Sequence, residues 1–190
     1  MLELLQNLDG TPLLAIQEMR LAILDPIVAF YTHLGDAGML WILGSLLLAL
    51  YKPTRKVGIT ALLALLLGFL CTNVALKHLV GRERPWLKLA ELIPLVAEHD
   101  PNSFPSGHTC SAFAAGVVWA RGLPKKWTRC VAAVLAVCMG LSRLYVGVHY
   151  PTDVIGGVVI GVIVAELGVF FGKKIWKKIR RRGRRRKSRA

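Results

Sequence analysis

The sequence predicts an all-α fold, a polytopic membrane helix bundle of about five to six transmembrane helices. The first observation is composition, because 54% of the 190 residues are hydrophobic and the mean hydropathy is +0.50, which is high for a water-soluble domain of this length. The second is that these residues come in blocks, since 58–76 and 154–165 contain no charged residue. The third is that short basic segments separate the blocks, as the positive-inside rule requires.

The N-terminal part is the least regular region of the predicted bundle. Residues 1–35 are weakly amphipathic and are interrupted by Asp-Gly and Asp-Pro pairs, which favours an interfacial helix followed by a short or re-entrant segment. A break at 35–38 precedes an apolar helix expected over 39–51. After a basic turn at 52–56, the next helix is expected over about 57–80, which is long enough to cross a bilayer.

Three further helices are predicted after a long loop. Residues 81–105 are polar and contain several prolines, which is typical of a loop. One helix is expected over about 106–122 and another over about 128–144. The last should begin at Pro151, a residue that suits the first turn of a helix, and should end near residue 172.

The net charge of +14 is concentrated in three segments that the predicted spans place on one side of the membrane. Lys and Arg number three at 52–56, four at 121–129 and twelve of the 25 at 173–189. This side should be cytoplasmic. We therefore predict a membrane domain over 1–172, followed by a basic cytoplasmic tail over 173–190 that anionic lipid attracts.

Several other partners and cofactors are not predicted. Basic runs also occur in nucleic-acid-binding proteins, but no base-reading module accompanies this one, so no nucleic acid is expected. Cys71, Cys110, Cys130 and Cys138 form no CxxC pair and no Cys/His cluster, so neither a disulfide nor zinc is expected. The sequence does not indicate an oligomeric state.

Three cations occupy the segments predicted to face the opposite, extracytoplasmic side. Lys77 and Arg84 are seven residues apart and can share a helical face, and Arg143 ends a later helix. A single lysine near a helix end often snorkels to the interface. A cluster of three cations needs an anion, and the arginine fork matches phosphate oxygens. The pattern predicts a phosphate-binding site at the extracytoplasmic rim.

The tripeptide Ser106-Gly107-His108 stands where a helix is expected to begin. Ser106 can be a plain N-cap. The free amides of a first helical turn also bind anions, and Gly107 allows the backbone to approach a phosphate oxygen closely. Both interpretations remain open, and the second adds Ser106 and Gly107 to the predicted phosphate-binding residues.

His149 and Asp153 form the predicted catalytic pair. Asp153 falls in the first turn after Pro151, close enough to accept a hydrogen bond from His149. A carboxylate that orients an imidazole and stabilises its positive charge is the arrangement of a catalytic triad.

The motifs KxxxxxxRP, PSGH and SRxxxxxHxxxD, which begin at Lys77, Pro105 and Ser142, resemble the signature of the type 2 phosphatidic acid phosphatase family at every position. That family belongs to the acid phosphatase and vanadium haloperoxidase superfamily. The resemblance implies that His149 attacks phosphorus to form a phosphohistidine and that His108 protonates the leaving oxygen. It also implies a metal-independent enzyme without a cofactor, in agreement with the presence of Asp153 as the only acid of the catalytic pattern.

The remaining polar residues near the motifs are not predicted to bind phosphate or to take part in catalysis. We expect Arg82 to be a solvated loop charge and Glu83 to neutralise one of the cations. His33 is expected at the membrane interface, and His78 and His99 lie outside the pattern.

The resemblance further implies a lipid phosphate substrate and a multi-pass protein of the bacterial plasma membrane. An outward-facing site favours undecaprenyl diphosphate, which would be converted to undecaprenyl phosphate plus phosphate. Phosphatidylglycerophosphate or phosphatidic acid is the alternative. Two interpretations from other functional classes are a non-catalytic lipid-phosphate binder and a small transporter. A transporter should carry ionisable residues near the middle of its spans.

Overall fold

The computed structural model describes residues 2–187, with side chains described for 9–174, 176 and 177. About 75% of the chain is helical, and the described part contains no strand, although Glu83 and Asn102 form an isolated β-bridge. We number the helices in chain order: α1 Leu2–Glu18, α2 Asp25–His33, α3 Met39–Leu50, α4 Arg55–Val80, α5 Pro85–Lys88, α6 Gly107–Gly122, α7 Lys126–Tyr145 and α8 Pro151–Lys187. The all-α fold is therefore confirmed.

Three helices are long and apolar enough to cross a bilayer: Arg55–Val80, Lys126–Tyr145 and Pro151–Lys174. The pair α2 and α3, which meets at a bend of 50°, adds a fourth span if the two helices are counted together. Helix α6 has only 16 residues and lies among the others. A multi-pass membrane bundle is confirmed, whereas the number of five to six spans stays a prediction.

The observed helices α3, α4, α6 and α7 begin and end within a few residues of their predicted bounds, whereas α5 is a short helix inside the predicted loop over 81–105. The last helix differs, because α8 continues to Lys187 instead of ending near residue 172. Lys and Arg favour helices and the tail contains no proline, so nothing in this sequence stops the helix. The predicted boundary between domain and tail thus falls inside a continuous helix; residues 188–190, and the tail side chains beyond 177, lie outside the described residues.

Small side chains allow α6 to lie at the centre of the bundle. Ala112, Ala114 and Ala115 of α6 are fully buried between α4, α7 and α8. Trp119 of the same helix packs against Trp41 of α3, with ring centroids 5.4 Å apart. Close helix packing through small residues is typical of membrane proteins, where the hydrophobic effect does not drive helices together.

One glycine controls how closely α8 approaches the start of α6. A Cβ at Gly157 would lie 2.7 Å from the carbonyl oxygen of Ser106. We therefore expect Gly157→Leu to lower the free energy of unfolding by about 1–3 kcal/mol or more, because the two backbones would have to separate. Thermal unfolding in detergent would show this. Ala133→Leu on the exposed face of α7 is the matched control and should leave the melting temperature nearly unchanged.

The fold collects the chemically important helix ends at one end of the bundle. Helix α4 contains a π-helical segment, Leu70–Leu76, immediately before Lys77, and such segments are frequent at functional sites. Gly81, whose φ of 58° favours glycine, then ends α4 and starts the long loop to α6. The same end of the bundle contains the start of α6 and the turn between α7 and α8.

Candidate active site

A cavity of about 1020 Å³ lies at this end of the bundle. Its polar part is lined by most of the predicted site residues, namely Lys77, Arg84, Gly107, His108, Arg143 and His149. Ser106 and Asp153 are fully buried behind this lining. The structure thus brings the three separate motifs together around one space.

The side chains of Lys77, Arg84 and Arg143 are buried and paired with carboxylates of the long loop. Lys77 Nζ donates to Asp100 Oδ2 at 2.5 Å. Glu98 bridges the two arginines, since one carboxylate oxygen accepts from Arg143 Nη2 and the other lies 3.5 Å from Arg84 Nη2. The three cations therefore surround anionic oxygens, which in this structure belong to the protein's own carboxylates, and phosphate binding at these residues stays a prediction.

The charge states of the loop residues follow from burial and pairing. Burial lowers the pKa of Arg84 to about 10, against the opposing effect of nearby carboxylates, so the guanidinium stays protonated at neutral pH. Burial alone would raise the pKa of Asp100, but hydrogen bonds from Lys77 and from the Asn102 amide hold it below its usual value. The site therefore combines buried positive charge with an ionised Asp100 carboxylate.

His149 stands between the cations and a buried carboxylate. Its Nε2 lies 3.0 Å from Arg84 Nη1 on the cavity side. Its Nδ1 lies 3.4 Å from Ser103 Oγ and 3.5 Å from Asp153 Oδ2. The direct hydrogen bond predicted between His149 and Asp153 is therefore long, and Ser103, which donates a short hydrogen bond to the same Asp153 oxygen, contacts both groups.

Asp153 is held by a network that the sequence did not indicate. Its Oδ2 also accepts from the Tyr150 amide at 2.8 Å, and its Oδ1 accepts from Arg82 Nη1 at 2.8 Å. Arg82 additionally donates to Asp9 of α1 and stacks on the Tyr150 ring at 3.9 Å. The interpretation of Arg82 as a solvated loop charge was therefore wrong, because a partner carboxylate from a distant helix makes its burial favourable.

The interpretation of Glu83 was also wrong, and a histidine outside the motifs lies at the cavity. Glu83 is exposed and pairs with Lys88 on the outer surface, and not with a cation of the cavity. His99 lines the cavity, although it lies outside the motifs. Neither position follows from sequence spacing, because both residues belong to a loop whose path is set by tertiary contacts.

Ser106 is the N-cap of α6, as the simpler interpretation predicted. Its hydroxyl accepts from the Thr109 amide at 3.4 Å and from the Thr109 hydroxyl at 2.9 Å. Its own amide donates to the Asp153 carbonyl at 3.1 Å, which ties the start of α6 to α8. The hydroxyl therefore organises the helix start, and it is Gly107 that lines the cavity.

His108 lies on another wall of the cavity and contacts a residue that the sequence did not indicate. Its Nε2 is 2.9 Å from Asp36 Oδ1, and Asp36 Oδ2 is 2.9 Å from His33 Nδ1. The sequence identified 35–38 only as a break. No motif spacing connects residue 36 with residue 108, so only the packing of the α2–α3 bend on α6 could show this contact.

The far part of the cavity is apolar. It is lined by side chains of α3 and α4, namely Ile42, Leu62, Leu65, Leu66 and Phe69. A ligand that fills the cavity therefore meets cations at one end and hydrocarbon at the other. Among the described residues, no group of three or more His, Cys, Asp and Glu side chains is arranged to hold a metal ion.

The environment of His149 leads to a prediction about its titration. Burial, with the charges of Arg84 and Arg143, lowers its pKa well below the usual value of about 6.5. We expect its ring resonances in an NMR titration to show no protonation step at pH 6–7, with assignment by comparison with His149→Gln. Since only the unfolded chain would take up this proton, the contribution of His149 to stability should fall as the pH drops below about 6.5. A step near 6.5 would contradict this environment.

Comparisons with known proteins agree with the geometry. A family model described as the PAP2 superfamily matches residues 58–176. An undecaprenyl-diphosphatase of Sulfolobus acidocaldarius is 31% identical over 150 residues, which cover 79% of this chain and 71% of that protein.

Two crystal structures share the fold. Aquifex aeolicus LpxE superposes with a TM-score of 0.75 at 27% identity, covering 84% of this chain and 93% of that one. A transmembrane PAP2-type phosphatidylglycerolphosphate phosphatase from Bacillus subtilis superposes with a TM-score of 0.73 at 32% identity, covering 90% and 87%. This chain therefore belongs to the PAP2 superfamily and is an enzyme that hydrolyses phosphate esters.

Proposed function

We propose that this PAP2 phosphatase binds the headgroup of a lipid phosphate among Lys77, Arg84 and Arg143 and cleaves it through His149. The observation that carries the proposal is the common position of three buried cations and the His149 Nε2 atom at the polar end of one cavity. Arginine forks and a lysine ammonium suit phosphate oxygens, and preorganised charges of this kind stabilise the transition state of phosphoryl transfer.

Substrate binding would replace two carboxylates of the protein. Glu98 and Asp100 pair with the cations in the structure, and both lie in the loop between α5 and α6. A phosphate group carries more charge than either carboxylate and presents oxygens in three directions. We infer that it displaces both side chains, with Glu98 leaving the arginines and Asp100 leaving Lys77.

In the first chemical step, the lone pair of His149 Nε2 forms a bond to phosphorus while the bond to the leaving oxygen breaks. The electron pair of the broken bond stays on the leaving oxygen, which takes a proton from the His108 imidazolium. Asp153 and Ser103 face the other ring nitrogen of His149. They fix the ring and stabilise the positive charge that it acquires.

The second step releases phosphate. A water oxygen forms a bond to phosphorus, the P–N bond breaks, and its electron pair returns to His149 Nε2. The neutral His108 accepts the proton of the attacking water and becomes the acid for the next cycle. The free amides at the start of α6, beside Gly107, would stabilise the phosphoryl oxygens, while Ser106 contributes by capping this turn.

The two ends of the cavity support a lipid as the substrate. The apolar side chains of α3 and α4 can contact the first carbons of the hydrocarbon chain while the headgroup reaches the cations. We propose undecaprenyl diphosphate as the substrate, with release of phosphate and undecaprenyl phosphate. The alternative is phosphatidylglycerophosphate or phosphatidic acid. The relative from S. acidocaldarius supports the diphosphate, and the B. subtilis neighbour supports phosphatidylglycerophosphate.

The placement in the membrane is also a proposal. Lys56, Arg121 and Lys173 line a second cavity of about 770 Å³ at the start of α4, whereas Lys77 and the active site lie at its other end. Basic residues therefore gather opposite the active site, which favours a cytoplasmic C-terminus, an extracytoplasmic active-site rim and contact of the basic tail with anionic lipid in a bacterial plasma membrane.

Phosphate release from a lipid panel tests the function. Purified protein in detergent with EDTA is given undecaprenyl diphosphate, phosphatidylglycerophosphate and phosphatidic acid. We expect release from at least one lipid, with the highest kcat/KM for the diphosphate. Negligible turnover of the diphosphate beside rapid turnover of another lipid would favour the alternative substrate. Binding without any release would indicate a lipid-phosphate binder, and dependence on an added divalent ion would contradict the mechanism.

A further inference from the structure

The bend between α2 and α3 places a carboxylate against His108. Asp36 Oδ1 lies 2.9 Å from His108 Nε2, and a Cβ added at the neighbouring Gly35 would come within 2.8 Å of the His108 ring. The bend is built with unusual backbone, because Ala37 has a φ of 51° and Gly38 a φ of 74°. Left-handed conformations at a non-glycine residue are costly and cluster at functional sites.

The charges around His108 explain why the Asp36 carboxylate is needed beside it. Burial of the His108 ring, together with the charges of Arg84 and Lys77, opposes a proton on it, whereas Asp36 favours one. Asp36 itself is about half exposed and also contacts His33, which is exposed and lines the same cavity. The general acid of the proposed first step has to be protonated although it stands beside the cations that hold the phosphate.

We propose that Asp36 is a positioning residue for His108, which fixes its ring through Nε2 and keeps it protonated for transfer to the leaving oxygen. The inference rests on the proposed function. An imidazolium has two N–H groups, so donation from Nε2 to Asp36 leaves the Nδ1 proton for the leaving oxygen. After transfer, the same contact holds the neutral tautomer in which Nδ1 can accept the proton of water.

The leaving group provides a test that a structural role would not satisfy. The leaving group of phosphatidic acid is the alkoxide of diacylglycerol, which needs a proton. The leaving group of a lipid diphosphate is the lipid monophosphate, an anion that is stable without an added proton. We expect Asp36→Asn to lower kcat on short-chain phosphatidic acid by roughly 10- to 100-fold, a part of the usual contribution of a general acid, and on farnesyl diphosphate by a clearly smaller factor.

A pH profile adds a second readout on whichever substrate the wild type hydrolyses. Loss of the acid form of His108 should set the alkaline limb of kcat/KM, and this limb should move down by about one pH unit in Asp36→Asn, because Lys77 and Arg84 are then no longer opposed. Asp36→Glu retains the carboxylate and should keep the limb near the wild-type position. Glu83→Gln, which removes an exposed carboxylate outside the cavity, is the matched control and should behave as wild type.

The outcomes separate this inference from the function on which it rests. If the wild type released phosphate from neither of the two lipids, the proposed function would be refuted. With an active wild type, equal losses on both substrates and an unmoved alkaline limb in Asp36→Asn would show a structural role only and overturn the inference. Wild-type kinetics of Asp36→Asn would overturn it as well.

Discussion

Replacing His149 with Gln is expected to lower kcat by at least about 10⁴-fold, because the variant lacks the atom that forms the covalent bond to phosphorus. The effect should appear in kcat and not in substrate affinity, since Lys77 and Arg143 remain in place. Steady-state phosphate release, combined with equilibrium binding of a non-hydrolysable phosphonate analogue of the lipid, would measure both quantities.

His78→Gln is the control for this variant. His78 is exposed near the end of α4 and is not among the residues that line the cavity. It should retain wild-type turnover. If His149→Gln kept more than a few per cent of the wild-type kcat, another group would have to be the nucleophile and the proposed chemistry would be abandoned.

The second large effect is expected at Arg84. This side chain contacts His149 Nε2 and also donates to the carbonyl oxygens of Val148 and Asp100, so it fixes the proposed nucleophile as well as the predicted phosphate position. We expect Arg84→Ala to lower kcat/KM by about 10³-fold or more, the scale found when an arginine that stabilises phosphoryl transfer is removed.

Arg84→Lys distinguishes charge from geometry. Lysine keeps the positive charge but loses the planar fork, so it should restore only a small part of the activity. Arg129→Lys, at the opposite end of the bundle, carries the same change and should be neutral. Full activity of Arg84→Lys would mean that charge alone suffices, which would contradict the proposed two-point contact with phosphate and His149.

Much of this site could be predicted because its residues stand at helix ends. Runs without charge defined α4 and α8, and the ends of these runs fixed where Lys77 and Asp153 would lie. The positive-inside rule then assigned both ends to one side. Short motifs at fixed distances from helix ends therefore indicate the site from the sequence alone, and the structure brings these motifs to one cavity.

The residues that the sequence did not indicate come from turns and loops. Ser103 reaches His149 through the end of a loop that returns to α6, and Glu98 occupies the space between the two arginines. Asp36 reaches His108 only because α2 and α3 meet at a bend of 50°. Hydrophobic periodicity determines helices but does not determine the path of a loop, so contacts of this kind follow from tertiary packing alone.

The burial of Arg82 also follows from tertiary packing and not from the sequence pattern. An arginine in a polar loop is usually solvated, whereas this one is buried and pairs with both Asp9 and Asp153. Because α1 packs beside the start of α8, Asp9 accepts hydrogen bonds from both Arg82 and the Thr152 hydroxyl. Through Arg82, the N-terminal helix thus supports the Asp153 carboxylate that lies beside His149, a contact that its weak amphipathic pattern could not predict.

The most direct test of the account is to identify the phosphorylated residue during turnover. Protein mixed with a lipid substrate labelled with ³²P in its terminal phosphate is quenched within the first turnover, digested under alkaline conditions and mapped. We predict an acid-labile phosphoryl group on His149. Labelling of His108 instead, or turnover through the first cycle with no phosphoryl group on any histidine, would contradict the claim that His149 attacks phosphorus.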